Sequence, residues 1–279
     1  MIKIVTDSAS GITQEVGRQY GITVLPLYVH FGTETFRDGV DIPLPEFFAR
    51  LKSSPQLPTT SQPSAGDFLE VYKPLIADGS EVIAILLSSK LSGTVASACA
   101  ARDMLPEARI HVVDTLFIAA AQQMMVMEAV RMAAAGQSVE TILARIDQLI
   151  AGFHLYLTVE TLEYLEKGGR IGKAAALLGS ALQMKPVLEV REGVVTAKER
   201  IRIKSKAVAH IQELVVQETA GRSRIYLGIL HAAAPEEAHG LEADLVARLK
   251  PTEVTVSEVG PVIATHTGPG CVGIAFYAE

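Results

Sequence analysis

The sequence has no tryptophan, few aromatic residues, only two cysteines and no long apolar run. Aromatic residues make up 5% of its 279 residues. Cys99 and Cys271 lie far apart without a CxxC pair, which excludes a thiolate metal site and suits a reducing cytoplasm. The most apolar run, Val82 to Leu87, is far shorter than the roughly 20 residues that span a bilayer. We therefore expect neither a membrane span nor, from the polar N-terminus, a signal peptide.

The sequence also lacks an excess of basic residues. Its 25 Lys and Arg face 31 Asp and Glu, which gives a net charge of −6. An acidic chain repels nucleic acid and anionic lipid surfaces, so we expect no nucleic-acid partner and no broad adhesion to membranes. The hydrophobic 49% is spread over aliphatic residues, which is typical of an α/β protein with buried strands.

Common catalytic and nucleotide-binding signatures are missing as well. The sequence contains no GxxxxGK[ST] loop, no GxSxG or SxxK nucleophile motif and no HExxH metal site. These absences argue against nucleotide binding, against the best-known hydrolase mechanisms and against a zinc site. Apart from His266, the histidines are interpreted as structural or solvated.

Strand and helix patterns alternate through the first half of the chain. Strands are predicted at Lys3–Thr6, Thr23–Leu27, Val82–Leu87 and Arg109–Val113, with helices from Thr13, at Pro45–Lys52, from Ser64 toward Leu75, and near Thr94–Met104 and Phe117–Ala135. This alternation predicts a doubly wound parallel sheet with helices on both faces. The proline-rich segment Ser53–Pro63 predicts a loop.

After Gly136 the pattern changes. A helix at Ser138–Ile150 precedes the strand His154–Thr158, and two helical stretches flank Lys167–Arg170. Glu192-Gly193 predicts a tight hairpin between Val187–Arg191 and Val194–Glu199. Two further helices (Lys204–Ala220, Pro235–Leu249) then alternate with the strands Ile225–Leu230, Glu253–Val259 and Val272–Tyr277. We predict an α/β fold with an N-terminal parallel domain (1–150) and a mixed α/β C-terminal domain (151–279), whose last strand is free to rejoin other elements.

Hydroxyl-rich turns follow three predicted strands, at Thr6–Ser8, Ser88–Thr94 and Asp114–Thr115. The carboxyl ends of parallel strands meet at one edge of a sheet, where ligands bind. For any single turn, an ordinary helix N-cap is the better explanation, whereas Ser88–Thr94 stays open between a cap and a ligand site. Pro58–Ser64 adds hydroxyls held between prolines, and Thr265–Gly270 predicts a rigid turn that carries His266.

Hydroxyls, helix N-termini and one imidazole suit a single carboxylate, which they can bind without a full countercharge. A nucleophilic pair of Ser92 and His266 is the alternative, although no third residue that would orient it is evident.

Two basic segments, Lys167–Arg170 and Lys198–Lys206, stand against the acidic background. Each is either a solvated helix end or a surface for a partner.

Seven segments together resemble the DegV family, which includes the fatty-acid-binding subunits of bacterial fatty acid kinase. In order, they are Thr6-Asp7-Ser8, FGTETFRDGVDI (Phe31–Ile42), TTSQPS (Thr59–Ser64), SSKLSGT (Ser88–Thr94), LEYLEKGGRIG (Leu162–Gly172), KPVLEV (Lys185–Val190) and HTGPG (His266–Gly270). The resemblance implies a cytoplasmic, non-enzymatic protein of lipid metabolism with no cofactor. It implies one long-chain fatty acid held in a tunnel between two domains. The carboxylate would be presented to a separate kinase subunit for acyl-phosphate formation.

The resemblance also implies roles for single residues. Thr60, Ser92 and His266 match the positions that bind the carboxylate, and Arg202 matches an arginine that engages the kinase. Ser61, Ser89 and Gly93 are expected near the carboxylate, Arg170 is expected to contact the partner, and no metal ligands are expected. A charged His266 would lower the pKa of the bound carboxyl, whereas desolvation would raise it.

Some positions depart from the family pattern, and other functions stay open. Ala119, Ala121 and Gln123 stand where the family shows a small-x-Gly pattern, which leaves the preferred chain length of the acid undetermined. The basic run around Arg202 leaves room for a specific partner and for a transient membrane contact. The alternatives are a hydrolase or acyltransferase that uses Ser92 and His266 on an acyl substrate, and a fatty-acid sensor without a kinase.

Overall fold

The computed structural model describes residues 1–180 and 184–279. Its strands are β1 (Ile2–Asp7), β2 (Ile22–Leu25), β3 (Tyr28–Phe31), β4 (Glu34–Arg37), β5 (Thr59–Ser61), β6 (Glu81–Leu86), β7 (Ile110–Asp114), β8 (His154–Thr158), β9 (Val187–Arg191), β10 (Val194–Glu199), β11 (Ile225–Ala232), β12 (Glu253–Glu258) and β13 (Cys271–Ala278). Its helices are α1 (Gln14–Tyr20), α2 (Leu44–Ser53), α3 (Ala65–Ile76), α4 (Thr94–Asp103), α5 (Ala119–Ala134), α6 (Val139–Gly152), α7 (Glu163–Lys167), α8 (Lys204–Glu218), α9 (Pro235–Leu249) and α10 (Pro261–Thr267). Segments Ser8–Ser10 and Gly172–Ser180 form 3-10 turns, so the second helical stretch predicted beside Arg170 is not an α-helix where it is described.

The N-terminal sheet is parallel, in the order β2-β1-β6-β7. Alternate residues of β6 point to opposite faces, and both faces are covered. Val82 and Leu86 pack with Phe68 of α3, whereas Ile83 belongs to the core that includes Met125 of α5. The prediction of a parallel sheet with helices on both faces is confirmed.

The C-terminal sheet is mixed, in the order β10-β9-β8-β13-β11-β12, with β11 and β12 parallel and the other pairs antiparallel. At the predicted hairpin both Glu192 (φ +53) and Gly193 (φ +83) are left-handed, as the tight turn between twisted strands requires. The last strand, β13, lies between β8 and β11 in the middle of this sheet. The predicted mixed α/β fold is confirmed, and the domain boundary near residue 150 stays a prediction.

A third, antiparallel sheet in the order β4-β3-β5 was not predicted. The prediction of a loop over Ser53–Pro63 is wrong at Thr59–Ser61, where β5 pairs with β3 and Thr60 lies opposite Val29. The strand has only three residues, and a proline stands just before and two positions after it. Such a short edge strand gives no alternating hydrophobic pattern, so the turn-forming residues around it dominate the sequence signal.

The prediction that His266 stands on a turn is also wrong. Residues Pro261–Thr267 form α10, with proline in its first turn, and His266 lies in its last turn. The left-handed Gly268 (φ +70) ends the helix. Seven residues with several β-branched side chains are too few to show a helical period.

Helix α5 lies between the two larger sheets. It contacts β1 and β6 on one side and β11 and β13 on the other. On the C-terminal side the approach is close, because a Cβ at Gly228 of β11 would stand 2.9 Å from the Cβ of Ala120. The small residues Ala119, Ala120 and Ala121 are therefore buried by close packing between the sheets.

Candidate functional site

A cavity of about 60 Å³ lies where β5, α10 and the loop after β6 meet strands of the C-terminal sheet. Its polar lining includes Thr60, Ser61, Ser92, Arg170 and His266. The apolar lining is aliphatic: Leu27, Leu87, Leu91, Ile118, Leu157, Leu165, Val190, Val195, Val262 and Ile263. The cavity thus has polar groups beside a hydrocarbon lining, and residues from both halves of the chain form it.

A hydrogen bond joins Thr60 and His266, which are 206 positions apart in the sequence. Thr60 Oγ1 lies 2.8 Å from His266 Nε2. Burial, and secondarily the positive charge of Arg170, lower the pKa of His266 to about 4. The imidazole is therefore neutral at neutral pH.

The surroundings of the ring indicate which nitrogen carries its proton. His266 Nδ1 is buried and has no hydrogen-bond partner among the described residues. A Cβ at Gly168 would overlap this nitrogen, so the ring packs directly on the glycine. A buried N–H without an acceptor is rarer than an unused lone pair, so we assign the proton to Nε2. His266 then donates to Thr60, and the Thr60 hydroxyl is left to donate into the cavity.

Ser92 belongs to the loop that enters α4. Its Oγ lies 2.9 Å from Thr94 Oγ1, and its amide donates to Ser88 O at 3.1 Å. Ser88 Oγ in turn donates to Gly193 O at 2.8 Å, which ties the loop to the β9–β10 hairpin. The hairpin therefore helps to hold Ser92 at the cavity.

Ser89 and Gly93, which were also expected near the carboxylate, do not line the cavity. Ser89 is exposed, and its amide donates to Asp114 Oδ1 at 3.0 Å. Gly93 packs on Gln62, since a Cβ there would lie 2.8 Å from Gln62 Nε2. Neither lines the cavity, whereas Gln62, which the sequence did not single out, does.

The turns after β1 and β7 reach the same edge of the sheet, but their side chains bind backbone groups. Thr6 Oγ1 donates to Ile85 O and Thr115 Oγ1 donates to Leu86 O, both at 2.8 Å. Asp7 accepts hydrogen bonds from the amides of Ala9 and Leu87 and from Gln122 Nε2. Burial raises the pKa of Asp7 to about 7. These hydrogen bonds hold the strand ends below the Ser88–Thr94 loop. No motif in the sequence indicated that Gln122 takes part in them.

Of the two predicted partner-binding arginines, only Arg170 lines the cavity. Its Nε donates to Leu91 O at 3.1 Å and its Nη1 to Gly168 O at 2.8 Å, so its charge is held beside His266. Arg202 is exposed between β10 and α8, next to Ile203, whose exposed fraction is 51%. The cavity thus has a cationic residue that sequence reasoning had placed on a partner surface alone.

The geometry does not assemble a nucleophile with an oriented base. Ser92 bonds to Thr94, while His266 bonds to Thr60 through Nε2, and no described carboxylate accepts from Nδ1. A hydrolase of the serine type needs the imidazole between the serine and an orienting group. The cavity is instead lined by groups that can donate hydrogen bonds, among them the Thr60 hydroxyl and Arg170.

The described parts of the chain contain neither a metal-binding cluster nor a membrane-spanning helix. No group of three or more His, Cys, Asp and Glu side chains there could hold a metal ion. No helix there is long and apolar enough to cross a bilayer. Ala119, Ala121 and Gln123, the departures from the family pattern, do not line the cavity.

The whole chain, residues 1–279, matches the model of an uncharacterised protein family, DegV. A DegV domain-containing protein of Halalkalibacterium halodurans is 34% identical over 279 residues, which cover 100% of this chain and 99% of the relative. A solved structure that describes fatty acid binding of a DegV family protein from Thermus thermophilus is similar with a TM-score of 0.95 and 38% identity, covering 100% and 99% of the two chains. DegV of Bacillus subtilis, described as a fatty acid binding protein, gives a TM-score of 0.91 and 33% identity, with coverage of 100% and 99%.

Proposed function

Because the chain belongs to the DegV family, we propose that it binds one long-chain fatty acid and presents the carboxylate to a separate kinase. The observation that carries this proposal is the lining of the cavity, in which neutral hydrogen-bond donors stand beside an aliphatic wall. The relatives described as fatty-acid-binding proteins support the choice of ligand.

The carboxylate would lie between the hydroxyls of Thr60 and Ser92. The proton on His266 Nε2 directs the Thr60 hydroxyl toward the ligand, so the histidine acts through the threonine. Arg170 adds a positive charge at the same end of the cavity. Hydrogen bonds to an ionised acceptor are roughly twice as strong as neutral ones, so this end favours the charged form of the acid.

The alkyl tail would follow the aliphatic wall formed by Ile118, Leu157, Val190 and their neighbours. Each buried CH₂ contributes about 0.8 kcal/mol, so a long chain binds tightly once it is enclosed. The cavity of about 60 Å³ has room for only the first part of such a chain. We therefore propose that binding moves side chains along the contact between the two larger sheets.

The ligand prediction is tested by mass spectrometry of lipids extracted from the purified protein. We expect a long-chain fatty acid in wild-type protein and a large loss of it in Thr60→Val and His266→Phe, because both remove the donor pair. The matched control is Thr59→Val, which changes the neighbouring, exposed residue of the same strand. It should retain the wild-type amount.

Two outcomes would contradict the proposal. One is wild-type protein that carries no acyl acid and does not bind added palmitate or oleate. The other is covalent labelling of Ser92 by a fluorophosphonate probe, which would indicate a serine hydrolase instead.

The kinase part of the proposal concerns Arg202. This arginine is exposed, forms no ion pair among the described residues, and stands beside the exposed Ile203. A free cation next to an apolar side chain suits a protein partner that brings ATP to the carboxylate. The two free cysteines agree with action in the reducing cytoplasm.

We expect Arg202→Ala to retain the fatty acid while acyl-phosphate formation with the cognate kinase falls at least about tenfold, the effect of losing one interface contact worth roughly 1.4 kcal/mol. Arg222→Ala, at an exposed arginine in the turn after α8, is the control and should react at the wild-type rate. Equal rates for Arg202→Ala and wild type would reject this role for Arg202.

A further inference from the structure

Asp38 is a buried carboxyl in the turn between β4 and α2. Only 1% of it is exposed. Its amide donates to Leu27 O at 2.8 Å, and its Oδ1 accepts from the amide of Val262, in the first turn of α10, at 3.3 Å. Asp38 therefore links the segment around the three-stranded sheet to a helix 224 positions away.

The contact between Asp38 and α10 is close. A Cβ at Gly260, the residue before the helix, would stand 2.9 Å from Asp38 Oδ1. Glycine at this position lets the carboxylate reach the first turn of α10. The second oxygen, Oδ2, is buried and has no hydrogen-bond partner among the described residues. Burying a carboxylate oxygen without a partner lowers the stability of the fold.

Helix α10 is the element that brings His266 to the cavity. Val262, Ile263, His266 and Thr267 all line it. Leu27, whose carbonyl accepts from the Asp38 amide, lines it as well. A shift of α10 would change the distance of 2.8 Å between His266 and Thr60 directly.

We propose that Asp38 is a positioning residue for the carboxylate-binding site, holding α10 so that His266 stays hydrogen-bonded to Thr60. This inference rests on the proposed fatty-acid binding. The ionised carboxylate is the better acceptor for the Val262 amide, so its charge strengthens the hold on the helix.

Among the described residues, the groups that face Asp38 include no cationic partner for its charge. Asp7 repels it from the end of β1, and Ser8 lies beside it. A second cavity of about 270 Å³ is lined by Asp38 and by Glu258 of β12, and by no Lys, Arg or His. Burial raises the pKa of Asp38 to about 6, against weaker opposing effects of Ser8 and the Val262 amide. Acidification through pH 6 should therefore weaken the hydrogen bond from the Val262 amide to Asp38, which positions α10.

The test compares Asp38→Ala and Asp38→Asn with wild type in the binding of a fluorescent fatty acid between pH 5 and pH 8. At pH 7.5 we expect about tenfold weaker binding for Asp38→Ala, which has no acceptor for the Val262 amide. Asp38→Asn should weaken binding by a smaller factor, about threefold, because it keeps a neutral acceptor. At pH 5 Asp38→Asn and wild type should bind equally. Asp147→Asn, at an exposed residue of α6, is the control and should match wild type throughout.

Hydrogen exchange of the α10 amides gives a readout that does not depend on the ligand. It should be faster in Asp38→Ala than in wild type and unchanged in Asp147→Asn. Wild-type affinity in Asp38→Ala, or a ratio of wild-type to Asp38→Asn affinity that does not change with pH, would overturn the proposal. If wild-type protein itself bound no fatty acid, the proposed function would fail instead, and the exchange data would still report on the hold on α10.

Discussion

At the residue scale, the environment of His266 decides what it can do. The sequence left open whether this imidazole is charged beside a carboxylate. Burial keeps the pKa of His266 at about 4, so the imidazole is neutral and hydrogen-bonded to Thr60. The positive charge at the cavity comes from Arg170 instead, which is held by two carbonyls and cannot lose its proton.

Gly168 gives a residue-scale prediction. Its backbone (φ −76, ψ −7) is one that any residue can adopt, although the Cβ added by Gly168→Ala would also stand 2.8 Å from Tyr164 O. That methyl group would overlap the His266 ring and displace it from Thr60. We expect fatty-acid affinity to fall at least about tenfold, the loss of one hydrogen bond to a charged ligand. Titration with a fluorescent fatty acid would measure it.

The matched control for Gly168→Ala is Gly240→Ala. Gly240 is exposed in α9, and a Cβ there would meet no atom within 4 Å. Replacing an exposed helix glycine by alanine should raise the free energy of unfolding by about 0.5–1 kcal/mol and leave affinity unchanged. Wild-type affinity in Gly168→Ala would show that the ring does not depend on this close packing.

At the element scale, two short elements carry the hydrogen-bonded pair at the cavity. Thr60 lies on β5, which has three residues, and His266 lies on α10, which has seven. Neither element has enough residues to show a period, so the sequence predicted a loop and a turn there. Elements with a clear hydrophobic pattern, such as the buried strand β6 and the long helix α5, were predicted close to their observed bounds.

The same contrast applies to the hydroxyl-rich turns. Their convergence at one sheet edge follows from parallel strand order, and it could be predicted. The sequence could not predict which of these hydroxyls line the cavity. Thr6 and Thr115 donate to carbonyls of the neighbouring strand, whereas Ser92 reaches the cavity. That difference depends on the direction of each side chain after the chain has folded.

At the scale of the whole molecule, buried carboxyls couple stability to pH. The pKa of Asp38 is raised to about 6, so between pH 4 and 6 the folded protein binds a proton there that the unfolded chain does not. Ionised Asp38 thus lowers stability at neutral pH, and this penalty disappears as the pH falls through 6 toward 4. Asp7 acts in the same direction, and His266, whose pKa is lowered, acts in the opposite one.

We therefore expect Asp38→Asn to be more stable than wild type at pH 7.5, by about 1–2 kcal/mol, with a clearly smaller difference near pH 4.5. Urea unfolding at the two pH values would measure the difference. Greater stability combined with weaker ligand binding is the pattern of a residue kept for its function. A variant that is less stable than wild type at both pH values would show that Asp38 serves only to hold the fold.

The sequence by itself determined the α/β class, the parallel and mixed sheets, the hairpin at Glu192-Gly193 and the membership of Thr60, Ser92 and His266 in ordered motifs. These follow from local patterns, because hydrophobic period, turn chemistry and residue spacing are properties of short segments. Only the tertiary structure decided that β13 enters the middle of its sheet, that Arg170 stands at the cavity, and that Gly168 packs on His266. It also decided that Gln122 donates to Asp7 and that the Val262 amide donates to Asp38. These are contacts between distant segments, and their geometry is set by packing that no single segment encodes.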